Sequence, residues 1–313
     1  MSYLLNRTLS IILTLLLISI ITFAVTNILP GDVAMMIMGT RSNPEALEGL
    51  RQSLGLNDSL IVQYGRWIAG MLSGDWGHSL IFKVPIADLL LQKINASALI
   101  VVMSMTIALV AAVPLGVWAA VHRDKWQDTM SSSAALLGVS LPDFFWGIML
   151  ILLFARTLGW LPSSGFADPG EDFALAVRHA LLPSLALGLG LMAHLTRMTR
   201  STMVGILGQE FIRVGRAKGL SERTVVWRYA LANAIGPVAT IAGLQVGYLF
   251  GSIIVVETLF NYTGMGWLTY QALLNRDVPL IQASVFVIAA VVMLTNFLVD
   301  LFYLVVDPRI RLG

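Results

Sequence analysis

Cysteine is absent from this 313-residue chain, and charge is scarce: Asp, Glu, Lys and Arg make up 12% of it, about half the share in a soluble domain. Without cysteine there is no disulfide framework, no thiolate metal site and no cysteine nucleophile. The four histidines, His78, His122, His179 and His194, are too scattered to give a metal-ligand spacing, so they read as structural or interfacial groups. No Gly-x-x-x-x-Gly-Lys-Ser/Thr loop occurs, which leaves the chain without a P-loop ATP site, and no Gly-x-Ser-x-Gly elbow supports a serine hydrolase. No cofactor is expected. Acidic and basic tails are missing as well, and the net charge is only +2. The clustered basic residues therefore point to membrane topology rather than to a nucleic-acid partner.

What is there is apolar: 57% of the residues are hydrophobic and the mean hydropathy is +0.80, which defines an integral membrane protein. Leu9 to Ile28 is long enough to cross about 30 Å of hydrocarbon as a helix. It exceeds the core of a signal peptide and runs into Leu29-Pro30-Gly31-Asp32 rather than a small-residue cleavage site, so a retained span is expected. Further spans are expected at about Ala98–Val121, Met130–Leu158 (with Pro142 and Gly147 allowing a kink), Ala180–Leu195, Ile235–Val256 and Ile281–Val306. The fold class is thus all-α, a polytopic bundle of six transmembrane helices. Three segments follow: a first span at 1–29, a polar insert at 30–97 with short amphipathic helices at Pro44–Leu54 and Ile61–Leu72, and a core of five spans at 98–313. Gly243, Gly247 and Gly251 repeat at every fourth residue, a spacing that permits close helix approach.

Charge asymmetry orients the bundle. Arg7, Arg123, Lys125, the basic residues from Arg197 through Arg228, Arg309 and Arg311 fall on one side, whereas the short opposite loops offer Arg178 and Arg276, with Arg156 near a helix end. The insert, with Arg41, Arg51, Arg66, Lys83 and Lys93, is longer than the range over which that rule is reliable and holds balancing acids. Both termini are expected to be cytoplasmic.

The most informative stretch is Gln209 to Arg223, charged and set between two apolar runs within a loop at about 201–234. Val204, Leu207, Phe211 and Val214 recur at intervals of three and four, which predicts one amphipathic helix with Gln209, Arg213 and Arg216 on its opposite face. Gly219 suits a helix C-terminus and Ser221 an N-cap for a helix running through Val226 and Tyr229. The expectation is a helix-bend-helix with a basic outer face. Ala217 to Val225 also looks like the turn of a DNA-binding helix-turn-helix, but no separate globular core or linker accompanies it. A docking helix that enters a groove on a moving partner fits the setting better. Ionisable groups inside spans are costly, so Glu257, Asp143 and Asp300 are candidate pathway residues, although Glu257 and Asp143 lie near helix ends and can reach water or a cap there. Packing and capping are the competing readings.

The segment Arg213 with Arg216-Ala217-Lys218-Gly219-Leu220, followed by Arg228-Tyr229-Ala230-Leu231-Ala232-Asn233-Ala234-Ile235-Gly236-Pro237, resembles the cytoplasmic loop of peptide-permease subunits of ABC importers. Gly215 stands where those loops usually carry alanine. Leu29-Pro30-Gly31-Asp32, Gly74-Asp75-Trp76-Gly77-His78-Ser79, Val255-Val256-Glu257-Thr258 with Gly264-Met265-Gly266, and Asp307-Pro308-Arg309-Ile310-Arg311 extend the resemblance to the B-type permease of dipeptide and oligopeptide importers. It implies a type I importer fold in a bacterial inner membrane and an extracytoplasmic insert. It also implies a second homologous permease, two cytoplasmic ATPase subunits and an extracytoplasmic substrate-binding protein as partners, with membrane lipid around the bundle. Arg213, Arg216, Ala217, Lys218, Gly219, Leu220 and Ser221 become the expected contact with the ATPase subunits. The chain is then no enzyme. An ion-gradient-driven transporter or channel is the alternative, one that calls for paired ionisable groups at mid-membrane.

Overall fold

The computed structural model describes residues 2–28, 33–38 and 43–306, which form helices joined by turns. Helix α1 spans Ser2–Ile28. The expectations for Leu29-Pro30-Gly31-Asp32, Arg41 and the tail from Asp307 lie outside the described residues. The polar region after α1 holds α2 (Val33–Met38), α3 (Pro44–Ser53) and α4 (Leu60–Ser73), the last two within a residue of the amphipathic stretches expected there. Asn43 caps α3 through its side chain, and Gly74 ends α4 in the left-handed region at φ 86°.

The second span differs from expectation at its start. Helix α5 runs from Ile86 to Val121, beginning about a dozen residues before Ala98, so Asp88 and Lys93 lie within the helix. The third is broken. Helix α6 (Trp126–Ser140) and helix α7 (Asp143–Leu150, continued by π turns to Thr157) meet at an angle of 100° across Leu141 and Pro142. Proline removes a backbone donor and forces its predecessor out of the helical region, and Leu141 accordingly sits at ψ 133°. Helix α8 (Phe173–Leu207) is longer than the expected Ala180–Leu195. Helices α9 (Glu210–Ala217) and α10 (Glu222–Thr224) follow, and α10 passes through π turns at Val225–Ala230 into α11 (Leu231–Leu259). Helices α12 (Met265–Leu274) and α13 (Val278–Val306) are the last described elements. Five of these helices are long and apolar enough to cross a membrane, or six if the α6–α7 pair is one span.

The helices pack as two compact units. One comprises Met1–Ala96 with Thr263–Met293. Here α4 lies on α1, with Phe23 edge-on to Tyr64 at 5.4 Å and the Tyr64 hydroxyl 2.8 Å from Ser19 Oγ. Met71, Ile86, Leu90, Leu268 and Ile281 form its core. Asp277, fully buried, holds this unit together. One carboxylate oxygen accepts from the Leu280 amide at 3.2 Å and so caps α13; the other accepts from Ser79 Oγ at 2.6 Å and the Leu80 amide at 2.8 Å. The Gly74-to-Ser79 turn is thereby tied to the start of α13.

The second unit, Ser97–Tyr262 with Leu294–Gly313, is built around α8. Its apolar window is 56% buried, against 17% for that of α1. Of the three spaced glycines on α11, Gly243 is the close approach: a Cβ there would come within 2.4 Å of the Val299 side chain, whereas Gly251 faces open space.

Candidate functional site

The stretch from Gln209 to Arg223 forms a helix-bend-helix, but not with the faces its periodicity implies. Helix α8 ends at Leu207 with Gly208 as its cap, and Gln209 at ψ 155° starts α9 as a separate element. Val204 and Leu207 therefore lie on one helix and Phe211 and Val214 on another. The first pair packs on a core of Val117, Ala120, Met203, Ile206, Ile212, Val225 and Val226. The second pair points outward, Phe211 39% and Val214 45% exposed, while Ile212 is 1% exposed and anchors α9. Two apolar side chains on solvent beside Arg213 make a surface suited to cover by a partner.

The bend is fixed by hydrogen bonds. Gly219 has φ 80°, its amide donates to the Arg216 carbonyl at 2.9 Å, and the Leu220 amide donates to the Gly215 carbonyl at 3.3 Å. Those two bonds constitute a Schellman termination, with glycine at the position that needs a left-handed backbone. Leu220 folds back onto the core. Ser221 caps the next helix, its Oγ accepting from the Thr224 amide at 3.4 Å and lying 2.9 Å from Thr224 Oγ1. Across the bend, Arg216 donates through Nε and Nη2 to the two oxygens of Glu222 at 2.6 and 3.3 Å, which ties the helices into one body. Arg213 pairs with Glu210 one turn away at 3.5 Å. Ala217 and Lys218 are exposed at the end of α9. All seven expected contact residues thus fall within one short element. The signals missed were the helix break at Gly208 and the Arg216–Glu222 pair, whose spacing of six has meaning only once the bend is known.

A second feature, Asp128 with Arg200, was not anticipated. Arg200 of α8 donates through Nε and Nη2 to both oxygens of Asp128 in the first turn of α6, and the Asp124 amide adds a bond at 3.0 Å. The Asp128 side chain is 7% exposed and that of Arg200 30%. The pair joins α6 to α8 three residues before Met203 enters the core beneath α9.

The three carboxylates expected on a pathway do not gather into one cluster. Asp143, at the start of α7 and 9% exposed, accepts from the Tyr248 hydroxyl at 3.2 Å, with Ser252 also within hydrogen-bonding reach. Glu257 is fully buried, not in reach of water as its place near the end of α11 suggested, and accepts from Ser97 Oγ at 2.5 Å. Its charge, together with that of Asp168, adds to the dominant effect of burial in pushing the Tyr262 phenol above its ordinary pKa. Asp300 is half-buried on α13.

The structure is thus a bundle of helices long and apolar enough to span a membrane, with a helix-bend-helix that leaves two apolar side chains exposed. Two family models match the chain: the binding-protein-dependent transport system inner membrane component over residues 112–312, and the N-terminal membrane component of the same systems over residues 1–81. The chain belongs to this family. It is 37% identical over 311 residues to the glutathione transport system permease protein GsiC of Escherichia coli K12, with 99% of each chain covered, and equally so to the protein of that name in Salmonella paratyphi A. Among solved structures it is similar to the inward-facing MetNI methionine ABC transporter, with a TM-score of 0.60 at 18% identity, covering 70% of this chain and 96% of that one. That likeness gives the fold, the type I ABC importer permease fold. The chain is a permease subunit of an ATP-driven importer and a multi-pass inner-membrane protein, and homologues of this kind work with a second permease, ATPase subunits and a binding protein. Family membership displaces the ion-gradient alternative.

Proposed function

We propose that this chain forms half of a translocation pathway for small peptides, with glutathione and dipeptides as the first substrates to try. In this reading it pairs with a homologous permease, receives substrate from an extracytoplasmic binding protein and takes its energy from two cytoplasmic ATPase subunits. Both termini and the α9–α10 element lie in the cytoplasm, on the ground of the charge asymmetry, and residues 30–97 form the extracytoplasmic insert. Supporting the substrate class is the full-length likeness to permeases named for glutathione transport.

The observation that carries the reading is the outward face of α9. A helix whose Ile212 is locked into the bundle while Phe211 and Val214 stand exposed transmits a push from a partner to the span ends beneath it. Arg213, Arg216, Ala217, Lys218, Gly219, Leu220 and Ser221 frame that face, some by contact and some by holding its shape. Work is done by the ATPase pair's different affinity for two arrangements of this element. Asp143, Glu257 and Asp300 are proposed as pathway groups because ionisable side chains within spans are costly to keep; the burial of Glu257 requires the path to open before substrate meets it.

The experiment is uptake of labelled glutathione and dipeptides in cells with and without the chain, joined to detergent pull-down of the ATPase subunits. Phe211→Asp is expected to leave membrane insertion intact and to cut ATPase co-purification about tenfold or more, since it places a charge in the centre of an apolar contact. Undiminished co-purification by that variant would contradict the docking role. Unchanged uptake of both substrates on deletion of the chain would remove the substrate class alone.

A further inference from the structure

Between the α10 region and the C-terminal end of α5, a groove of about 310 Å³ opens. Its walls are apolar and aromatic: Val117, Trp118 and Val121 from α5, Val226 and Trp227 from the opposite side. Trp227 is 49% and Val121 44% exposed, so the groove is open rather than part of the core. Trp118 stacks edge-on against Trp126 at 6.2 Å, and Trp126 is 67% exposed. Tryptophans grouped where a spanning helix ends are what the bilayer interface selects, because the ring is apolar and the indole N–H is not.

The charge at the mouth has one sign to spare. His122, Glu222 and Arg223 line the groove, and Arg123 and Lys125 occupy the turn beside it. Of the acids nearby, Glu222 is taken by Arg216 through both oxygens, and Asp124 pairs with Arg123 at 3.3 Å. Asp128 is taken by Arg200. Among the described residues no side-chain partner accompanies Arg223. An apolar slot at the depth where a span ends, closed at its polar end by an unengaged guanidinium, complements one acyl chain below one phosphate.

We propose that this groove is a binding site for an anionic phospholipid, the acyl chain lying between Trp118 and Trp227 and the headgroup phosphate meeting Arg223. The wall that would grip the lipid is also the wall that holds the docking helix: Val225 and Val226 share a core with Ile212, and Glu222 carries Arg216. Lipid occupancy would therefore bear on the position of α9. The site does not depend on the substrate, and the proposed orientation enters only in the choice of leaflet.

The test is retention of lipid by the purified full chain, measured by native mass spectrometry after equilibration in mixed micelles of phosphatidylglycerol and phosphatidylcholine, which makes the readout independent of orientation. Wild type is expected to retain phosphatidylglycerol preferentially. Arg223→Gln, an exposed change, should lower that preference about fivefold, the effect of one basic group near a lipid surface. Val121→Trp, which fills the groove from its rim, should displace both lipids. Equal retention of the two lipids by wild type would overturn the proposal, as would a preference that Arg223→Gln leaves unchanged. A photoreactive side chain at Trp227 that captures a second copy or another protein subunit instead of lipid would overturn it too.

Discussion

Gly219→Pro is expected to abolish uptake while hydrolysis of ATP by the assembled importer continues. Proline fixes φ near −65° and has no amide hydrogen, whereas this position has φ 80° and donates to the Arg216 carbonyl at 2.9 Å. The variant loses the Schellman termination, redirects the chain at Leu220 and separates Arg216 from Glu222. Gly219→Ala is the informative companion. Nothing lies within 4 Å of a Cβ built there, so its cost is the left-handed backbone alone, about 1–2 kcal/mol. Uptake should fall more than a hundredfold for the proline variant and no more than about thirtyfold for the alanine variant, by the scale on which 1.4 kcal/mol is a factor of ten. The measurement is uptake and ATPase activity in proteoliposomes side by side. Equal uptake by wild type and the proline variant would show that the bend carries no coupling.

Asp128→Ala should be strongly destabilising. It leaves the Arg200 guanidinium without a bidentate partner in a site where that partner is 7% exposed, and it orphans the Asp124 amide. Breaking such a buried pair costs about 3–5 kcal/mol, and the 30% exposure of Arg200 reduces this to roughly 2–3 kcal/mol because water recovers part of the loss. The double variant with Arg200→Met should regain at least half of it, since a methionine can fill the space without a stranded charge. Thermal melting in detergent followed by size-exclusion distinguishes the outcomes. A double variant no more stable than Asp128→Ala would mean that the pair's attraction is not what joins α6 to α8.

How far the sequence alone reached depends on the length scale of each feature. Spans follow from local composition: α11 and α13 agree with their apolar runs to within four residues at each end, and α1 ends where expected but starts seven residues before Leu9. The start of α5 was missed because Asp88 and Lys93 look like insert composition, yet a helix extends past an apolar window at no cost to its backbone bonding. At Pro142 the sequence signalled a kink, and the structure has a 100° break. Single-residue turn chemistry was legible: Gly219 and Ser221 act as their side chains, or lack of one, require. Periodicity failed at Phe211 and Val214, because Gly208 and Gln209 restart the helical phase between them and Leu207. Asp128 with Arg200 and Asp277 with Ser79 are pairings across 72 and 198 residues, and no local pattern encodes them.

The central claim is that α9 and the bend after it are where the ATPase subunits take hold. The absence of cysteine gives a clean test, since Lys218→Cys introduces one thiol into a chain that has none. With a thiol-linked photoreactive probe at that exposed position, illumination of the assembled importer is predicted to join this chain to an ATPase subunit, in a yield that changes when ATP is added. Capture only of lipid or of the extracytoplasmic binding protein, with the ATPase subunits present and unmodified, would contradict the account.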